Sequence, residues 1–208
     1  MPSSSQPLII LASASPRRSA LLTQIGVAHR VMPVDVDETA LAAESPAAYV
    51  QRLAAAKAER LCHQLAPSER LPVLGADTTV ALGERILGKP RDRDDCLEML
   101  RALSGRTHRV LTAVALSWNG VCDVRLSVSE VSFRPLEEAE IAAYWETGEP
   151  ADKAGAYAIQ GRAALFIERI AGSYSGIVGL PLFETGELLR RAGWSLTGAT
   201  PQRVEAHA

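Results

Sequence analysis

The sequence predicts an α/β fold: a mixed, twisted sheet with flanking helices, one chain folded around one cleft. Three observations lead there. Short apolar runs of strand length recur in the first half, separated by stretches with helical spacing. Residues 107–118 and 121–133 flank Asn119-Gly120, the strongest two-residue hairpin signal, so at least one strand pair is antiparallel. No internal repeat or linker interrupts the 208 residues, so one unit with a full core is expected.

Each element has its own signal. Residues 1–7 are polar and Ser-rich and are expected to be flexible. Residues 8–13 form a short apolar run that reads as a buried strand. Ser15-Pro16 then supplies an N-cap and a proline at the first helical position. Leu21, Leu22 and Ile25 give that helix an apolar face, and Gly26 ends it. Residues 31–36 read as a second strand running into an acidic loop at 35–38. Ser45-Pro46 repeats the helix start, with Val50, Leu53, Lys57 and Leu61 at helical spacing. Residues 73–76 read as a third buried strand ending at Asp77, and 85–89 as a short extended piece stopped by Pro90. Asp92 caps a helix whose inner face is Cys96, Leu97, Leu100 and Leu103. In the hairpin's second strand the apolar phase changes from Val124, Leu126 and Val128 to Val131 and Phe133. A bulge near Glu130 is expected from that slip. Residues 137–145 read as a short helix, 148–161 as a Gly-rich loop, 165–167 as a strand, and 181–193 as a last helix. Residues 195–208 have no apolar period and read as a flexible tail, leaving 8–194 as the folded domain.

Composition narrows the function. Apolar residues make up 47% and charged residues 22%, an ordinary globular balance. Net charge is −2, against the clearly basic surface of a nucleic-acid polymer binder. The three cysteines, Cys62, Cys96 and Cys122, are far apart, with no CxxC or Cys/His cluster. They read as small apolar residues in a reducing compartment, not as a disulfide framework or zinc site. No run approaches the ~18 apolar residues of a membrane span, and the early apolar run is too short for a signal segment. A cytoplasmic protein without a membrane partner is expected.

Several charges sit where simple physics disfavours them. With Ser15 as N-cap, Arg17 and Arg18 occupy the second and third helical positions. That end already carries partial positive charge and unpaired amides. Two cations there make sense if an anion such as phosphate joins them; otherwise they are a solvated pair. On the dipole argument alone, removing Arg18 should slightly stabilise the helix. Lys57 lies on an apolar stripe, so it must snorkel, pair with a carboxylate or point into a cleft. Asp77 follows an apolar strand, where α/β ligand sites gather; it could hold a metal, orient water or cap a turn. Asp35, Asp37 and Glu38 are hard oxygen donors suited to magnesium or manganese, or a solvated acidic loop. Lys89 could reach a phosphate or lie on the surface. The four His are scattered, and neither a GxSxG elbow nor a GxxxxGK[ST] loop occurs. Cations for phosphates, carboxylates for a metal and no obvious nucleophile favour metal-assisted attack by water on a phosphoanhydride.

The segment 11–22, LASASPRRSALL, resembles the opening signature of the Maf family of nucleoside triphosphate pyrophosphatases. The resemblance continues through Asp37-Glu38, Lys57, GADT at 75–78, GKP at 88–90, LSGRTH at 103–108 and DKAGAYAIQG at 152–161. GSY from Gly172 and VGLP at 178–181 close it, and it covers roughly residues 8–193. It implies an elongated α/β fold with a deep cleft, often dimeric. The implied activity splits nucleoside triphosphates between the α and β phosphates, releasing a monophosphate and pyrophosphate with Mg or Mn as cofactor and cleaning nucleotide pools. The segment 152–161 looks like the branch acting on dTTP and UTP. Asp77 matches the catalytic proton acceptor and, with Glu38, the metal-holding carboxylates. Arg17, Thr78 and Gln160 match base-specificity positions; Ser13, Arg18, Lys57, Lys89 and Lys153 match other substrate-binding positions. The alternatives are a nucleotide-binding regulator of cell division with little catalysis, and a branch preferring a modified guanosine or other non-standard triphosphate.

Overall fold

A computed structural model describes residues 8–196 and the backbone of 202–203. The predicted flexible start at 1–7, and the tail residues 197–201 and 204–208, lie outside the described residues.

A seven-stranded mixed sheet forms the centre. It comprises β1 (Ile9–Leu11), β2 (His29–Val31), β3 (Val73–Leu82), β4 (Arg85–Leu87), β5 (Thr107–Trp118), β6 (Val121–Phe133) and β7 (Ile167–Ala171). The order is β2-β1-β3-β5-β6-β7, with β4 also on β3. β1 runs parallel to both β2 and β3, while β3, β5, β6 and β7 are antiparallel neighbours. The helices are α1 (Pro16–Gln24), α2 (Pro46–Gln64), α3 (Arg93–Leu103), α4 (Glu138–Trp145), α5 (Tyr174–Val178) and α6 (Leu182–Arg191). Short strands β8 (Trp194–Ser195) and β9 (Gln202–Arg203) pair antiparallel, so the chain just past residue 194 is engaged.

Both faces of the sheet are covered. α2 lays Val50, Ala54, Ala58 and Leu61 on one face, against Val73, Ala81, Leu111 and Ala113. On the other face, Leu21 and Leu22 of α1 and Leu188 and Leu189 of α6 pack on Leu74, Ala76, Val114 and Leu116. α3 and α4 close the far end over Val80, Val110, Val131 and Phe133.

The hairpin expectation holds with both strand bounds, and Asn119 and Gly120 carry the positive φ angles that the turn requires. Other expectations need correction. The β5–β6 register is unbroken from Thr107↔Ser132 to Trp118↔Val121, so the hairpin has no bulge at Glu130; the register shift lies instead on the β7 side of β6, between Ser132 and Phe133. The apolar phase changes because the cover changes face: Val124 and Leu126 lie under α2, whereas Val131 and Phe133 join the α3–α4 core. The second strand ends at Val31 and does not extend through 36. The third does not stop at Asp77 but runs on to Leu82. The segment 162–166 is a 3-10 turn, and β7 starts at Ile167. Sequence reading missed α5, which is too short to show a period.

Edge geometry opens the cleft. β5 pairs with one side of β3 from Val73 to Ala81. On the other side β1 reaches only Val73 and Leu74, and β4 only Val80 to Leu82. Between them Asp77 and Thr78 stand on a strand edge that no other strand of the sheet pairs.

Candidate active site

The gap beside β3 is the floor of a cleft of about 680 Å³. All but Asp37 of the site residues named from the sequence line it: Ser13, Arg17 and Arg18 from the α1 entry, Asp35 and Glu38 from the acidic loop, Lys57 from α2, and Asp77 and Thr78 from β3. Lys89 joins from after β4, and Lys153 and Gln160 from the Gly-rich segment.

At its centre, one ammonium links two carboxylates. Lys57 Nζ donates to Asp77 Oδ1 and to Glu38 Oε1, each at 2.7 Å. Lys57 and Asp77 are buried, at 9% and 8% exposure. The lysine on the apolar stripe thus neither snorkels nor stands alone; it pairs. The two carboxylates part in acidity. Burial raises Asp77 above the ordinary carboxylate range, against the opposing pull of Lys57. Burial also pushes Glu38 up, but its bond to Lys57 and the neighbouring cations outweigh this and hold it low.

The α1 entry forms a second cluster. Ser15 is the N-cap but makes no side-chain cap bond. Instead Ser13 Oγ accepts from Ser15 N at 3.2 Å and from Arg18 at 3.0 Å. Arg18 Nε donates to Gly179 O at 2.8 Å and a second nitrogen donates to Thr78 Oγ1 at 3.3 Å. Arg18 is thus a strut joining α1, β3 and the end of α5. These three bonds work against the stabilisation expected from the dipole alone, because removing Arg18 strips them from the apo fold. Burial lowers its guanidinium, with the Asp77 charge opposing. Arg17 is less committed, with one long contact of 3.4 Å to Val178 O.

Asp35 lines the cleft, whereas Asp37 Oδ1 accepts from Thr39 N at 2.9 Å as a local turn. Sequence reading missed Tyr49. It lies two turns before Lys57 on the same helix, and that spacing could have flagged it. Its hydroxyl donates to Glu38 O at 2.9 Å, anchoring the loop that carries Glu38. Burial, then the charges of Asp77 and Glu38, push the phenol up to about 12. Arg52 ties the same loop by donating to Glu44 and to Thr39 O. Lys153 pairs with its neighbour Asp152. The three cysteines are free thiols, as expected.

Fold and cleft together define an α/β protein with a cation-lined cleft built around a buried acid–lysine–acid cluster. The family model described as Maf-like protein matches residues 8–192, and the chain belongs to that family. The dTTP/UTP pyrophosphatase of Alkalilimnicola ehrlichii is 56% identical over 187 residues, covering 88% of this chain and 92% of that protein. The dTTP/UTP pyrophosphatase of Aromatoleum aromaticum is 55% identical over 203 residues, 92% of this chain and 98% of that one. Among solved structures, the Staphylococcus aureus Ham1 protein overlaps with a TM-score of 0.44 and 15% identity, over 60% of this chain and 71% of that one, a likeness too slight to bear on function. Among the described residues no helix is long and apolar enough to cross a membrane.

Proposed function

We propose that this protein hydrolyses nucleoside triphosphates, dTTP and UTP by preference, to the monophosphate and pyrophosphate. The observation that carries the reading is the Glu38–Lys57–Asp77 cluster at the floor of a cleft whose walls hold four further cations. The names of its relatives point to the same reaction and to the same bases.

Each residue has a role. Arg17, Arg18, Lys89 and Lys153 hold the triphosphate, with Ser13 and the first-turn amides of α1 at its side. Asp77 accepts a proton from the attacking water, which bonds to the α phosphorus as the bridge to the leaving pyrophosphate breaks. Burial fits it for this task by raising its proton affinity. Lys57 holds Asp77 in place and steadies the growing negative charge. Gln160 offers an amide donor and acceptor to the imide edge of uracil or thymine.

A divalent ion suits the donor set. No group of three or more His, Cys, Asp or Glu able to hold a metal occurs among the described residues. Two carboxylates do converge, however, and magnesium commonly takes one or two carboxylates together with substrate phosphates. Five cations line the cleft against the carboxylates Asp35, Glu38, Asp77 and Asp152, a surplus of one that leaves a triphosphate largely uncompensated. Glu38 and Asp77 would hold the ion, sharing their carboxylates with Lys57. When bound, Mg or Mn supplies charge neutralisation and polarises the phosphates.

We place the protein in the cytoplasm, where free thiols persist; a homodimer, implied by the family resemblance, is tested by light scattering. The deciding experiment measures pyrophosphate release from UTP, dTTP, CTP, ATP and GTP with magnesium or manganese. Faster turnover of UTP and dTTP supports the proposal. Nucleotide binding without release overturns the catalytic reading, and a preference for GTP overturns the base assignment.

A further inference from the structure

Gln160 is exposed and lies in a Gly-rich segment with little regular structure. An exposed amide on such a segment selects a base only if something fixes its backbone. Two side chains outside the cleft do so, one buried and one half-buried. Tyr144, at 3% exposure in the last turn of α4, donates its hydroxyl to Glu149 Oε1 at 2.6 Å. The same hydroxyl accepts from Ala158 N at 3.2 Å, just before Gln160. Just after Gln160, Glu149 Oε2 accepts from Arg162 N at 2.9 Å. The turn between is closed by Gly161 N donating to Ala158 O at 3.0 Å. Gly161 lets the Glu149 carboxylate lie against the backbone; a Cβ there would meet that carboxylate at 2.2 Å and displace it from its bonds.

We propose that Tyr144 and Glu149 are a positioning pair that sets the base selectivity of the site by gripping the Ala158–Arg162 backbone on both sides of Gln160. The inference rests on the pyrophosphatase reading. Neither residue lines the cleft, so both act through Gln160. Burial, then the bond to Glu149, hold the Tyr144 phenol far above its ordinary value, so it stays a donor. The phosphate end of the segment has different moorings: Gly155 N donates to Gly88 O at 2.9 Å, and Gly155 packs directly on Val80. Tyr157, between the two ends, bonds His108 at 2.8 Å. Base end and phosphate end are therefore separable.

The test uses Tyr144→Phe, Glu149→Gln, Gln160→Ala and the double variant Tyr144→Phe/Gln160→Ala. Steady-state kinetics on UTP and ATP are paired with inhibition by inorganic tripolyphosphate, which has no base. Tyr144→Phe should lower kcat/KM for UTP about tenfold, mostly through KM, as expected for one lost orienting bond. ATP turnover and the tripolyphosphate inhibition constant should stay near wild type. The double variant should lose no more than Gln160→Ala alone, since both act through one amide. Glu149→Gln should fall between wild type and Tyr144→Phe, because its amide oxygen still accepts one bond. A UTP-to-ATP ratio unchanged in both Tyr144→Phe and Glu149→Gln overturns the positioning role and leaves the pyrophosphatase reading intact. Additive losses, or an equal loss on every substrate and on tripolyphosphate, overturn it as well. A wild type that hydrolyses UTP and ATP equally overturns the positioning role and the base preference while hydrolysis itself stands.

Discussion

Asp77→Asn separates chemistry from architecture. The amide has the shape of the carboxylate but cannot take the proton of water. At 2.7 Å, two unit charges attract by about 6 kcal/mol at an effective dielectric of about 20. Desolvation of two buried ions offsets most of that. Lys57 also keeps Glu38 at 2.7 Å, and an Asn oxygen can still accept from it. The net loss of stability is therefore set at about 1–2 kcal/mol, the scale of a hydrogen bond to a charged group. For a chain of this size that lowers Tm by roughly 2–8 °C. Turnover should fall ~100-fold or more, the contribution of a positioned general base. Lys57→Met is the contrast. It leaves two carboxylates facing each other without their shared cation, one of them buried, and should destabilise by about 3–5 kcal/mol. Pyrophosphate release from UTP and thermal melts of the three proteins supply the comparison. A folded Asp77→Asn enzyme with near wild-type turnover refutes the assignment of Asp77 as proton acceptor. A Lys57→Met protein as stable as wild type refutes the reading of the cluster as a mutually dependent unit.

Other consequences follow from single contacts. Arg18→Ala should impair hydrolysis and destabilise the apo protein by about 1–3 kcal/mol, because its bonds to Gly179 O and the Ser13 and Thr78 hydroxyls are lost; melts without nucleotide decide between this and the slight stabilisation that a dipole argument gives. Gly75→Ala should cost about 1–3 kcal/mol and depress kcat, since the new methyl would meet Ala54 O at 2.3 Å and push α2, with Lys57, away from β3; unchanged melting and kinetics would show that α2 yields freely. Burial lowers His108 from its ordinary 6.5 to about 4, so between those values the unfolded chain binds more protons than the folded one. Stability is then fully present above pH 6.5 and falls by about 3 kcal/mol as pH drops to 4. His108→Gln, which can still reach Tyr157, should flatten that acid limb in denaturant titrations at pH 7, 5.5 and 4.5.

Local signals in the sequence located most elements, and failures occurred where a distant partner decides. The run at 73–76 reads as ending at a charge, yet β3 continues, with Lys57 of the preceding helix pairing with Asp77. The phase change in β6 is sound as a pattern but wrong as a bulge, since its cause is which helices lie above and below the strand. The site was legible in its fragments. Arginines at a helix start and a lysine on an apolar stripe are each uncomfortable alone, and the cleft brings both together. Their pairings were not legible. Arg18 bonds a carbonyl 161 residues further on, and no local spacing encodes that.

Neighbours along a strand point to opposite faces, and Asp77 and Thr78 do so here. Asp77 meets Lys57 beneath α2, while Thr78 meets Arg18 on the side of α1 and α5. One cleft can use both only where the sheet itself stops. The short reach of β1, ending opposite Leu74, and of antiparallel β4, ending opposite Val80, leave that stop in the middle of a ten-residue strand. Adjacent residues can then approach a single ligand from two faces of one rigid strand. The side opposite the gap is paired with β5 throughout, from Val73 to Ala81, which holds that strand still. Precision at the gap comes from this far-side ladder and from Gly75, whose missing side chain lets α2 come close enough for Lys57 to reach Asp77 at 2.7 Å. A site placed on loops alone would lack both constraints.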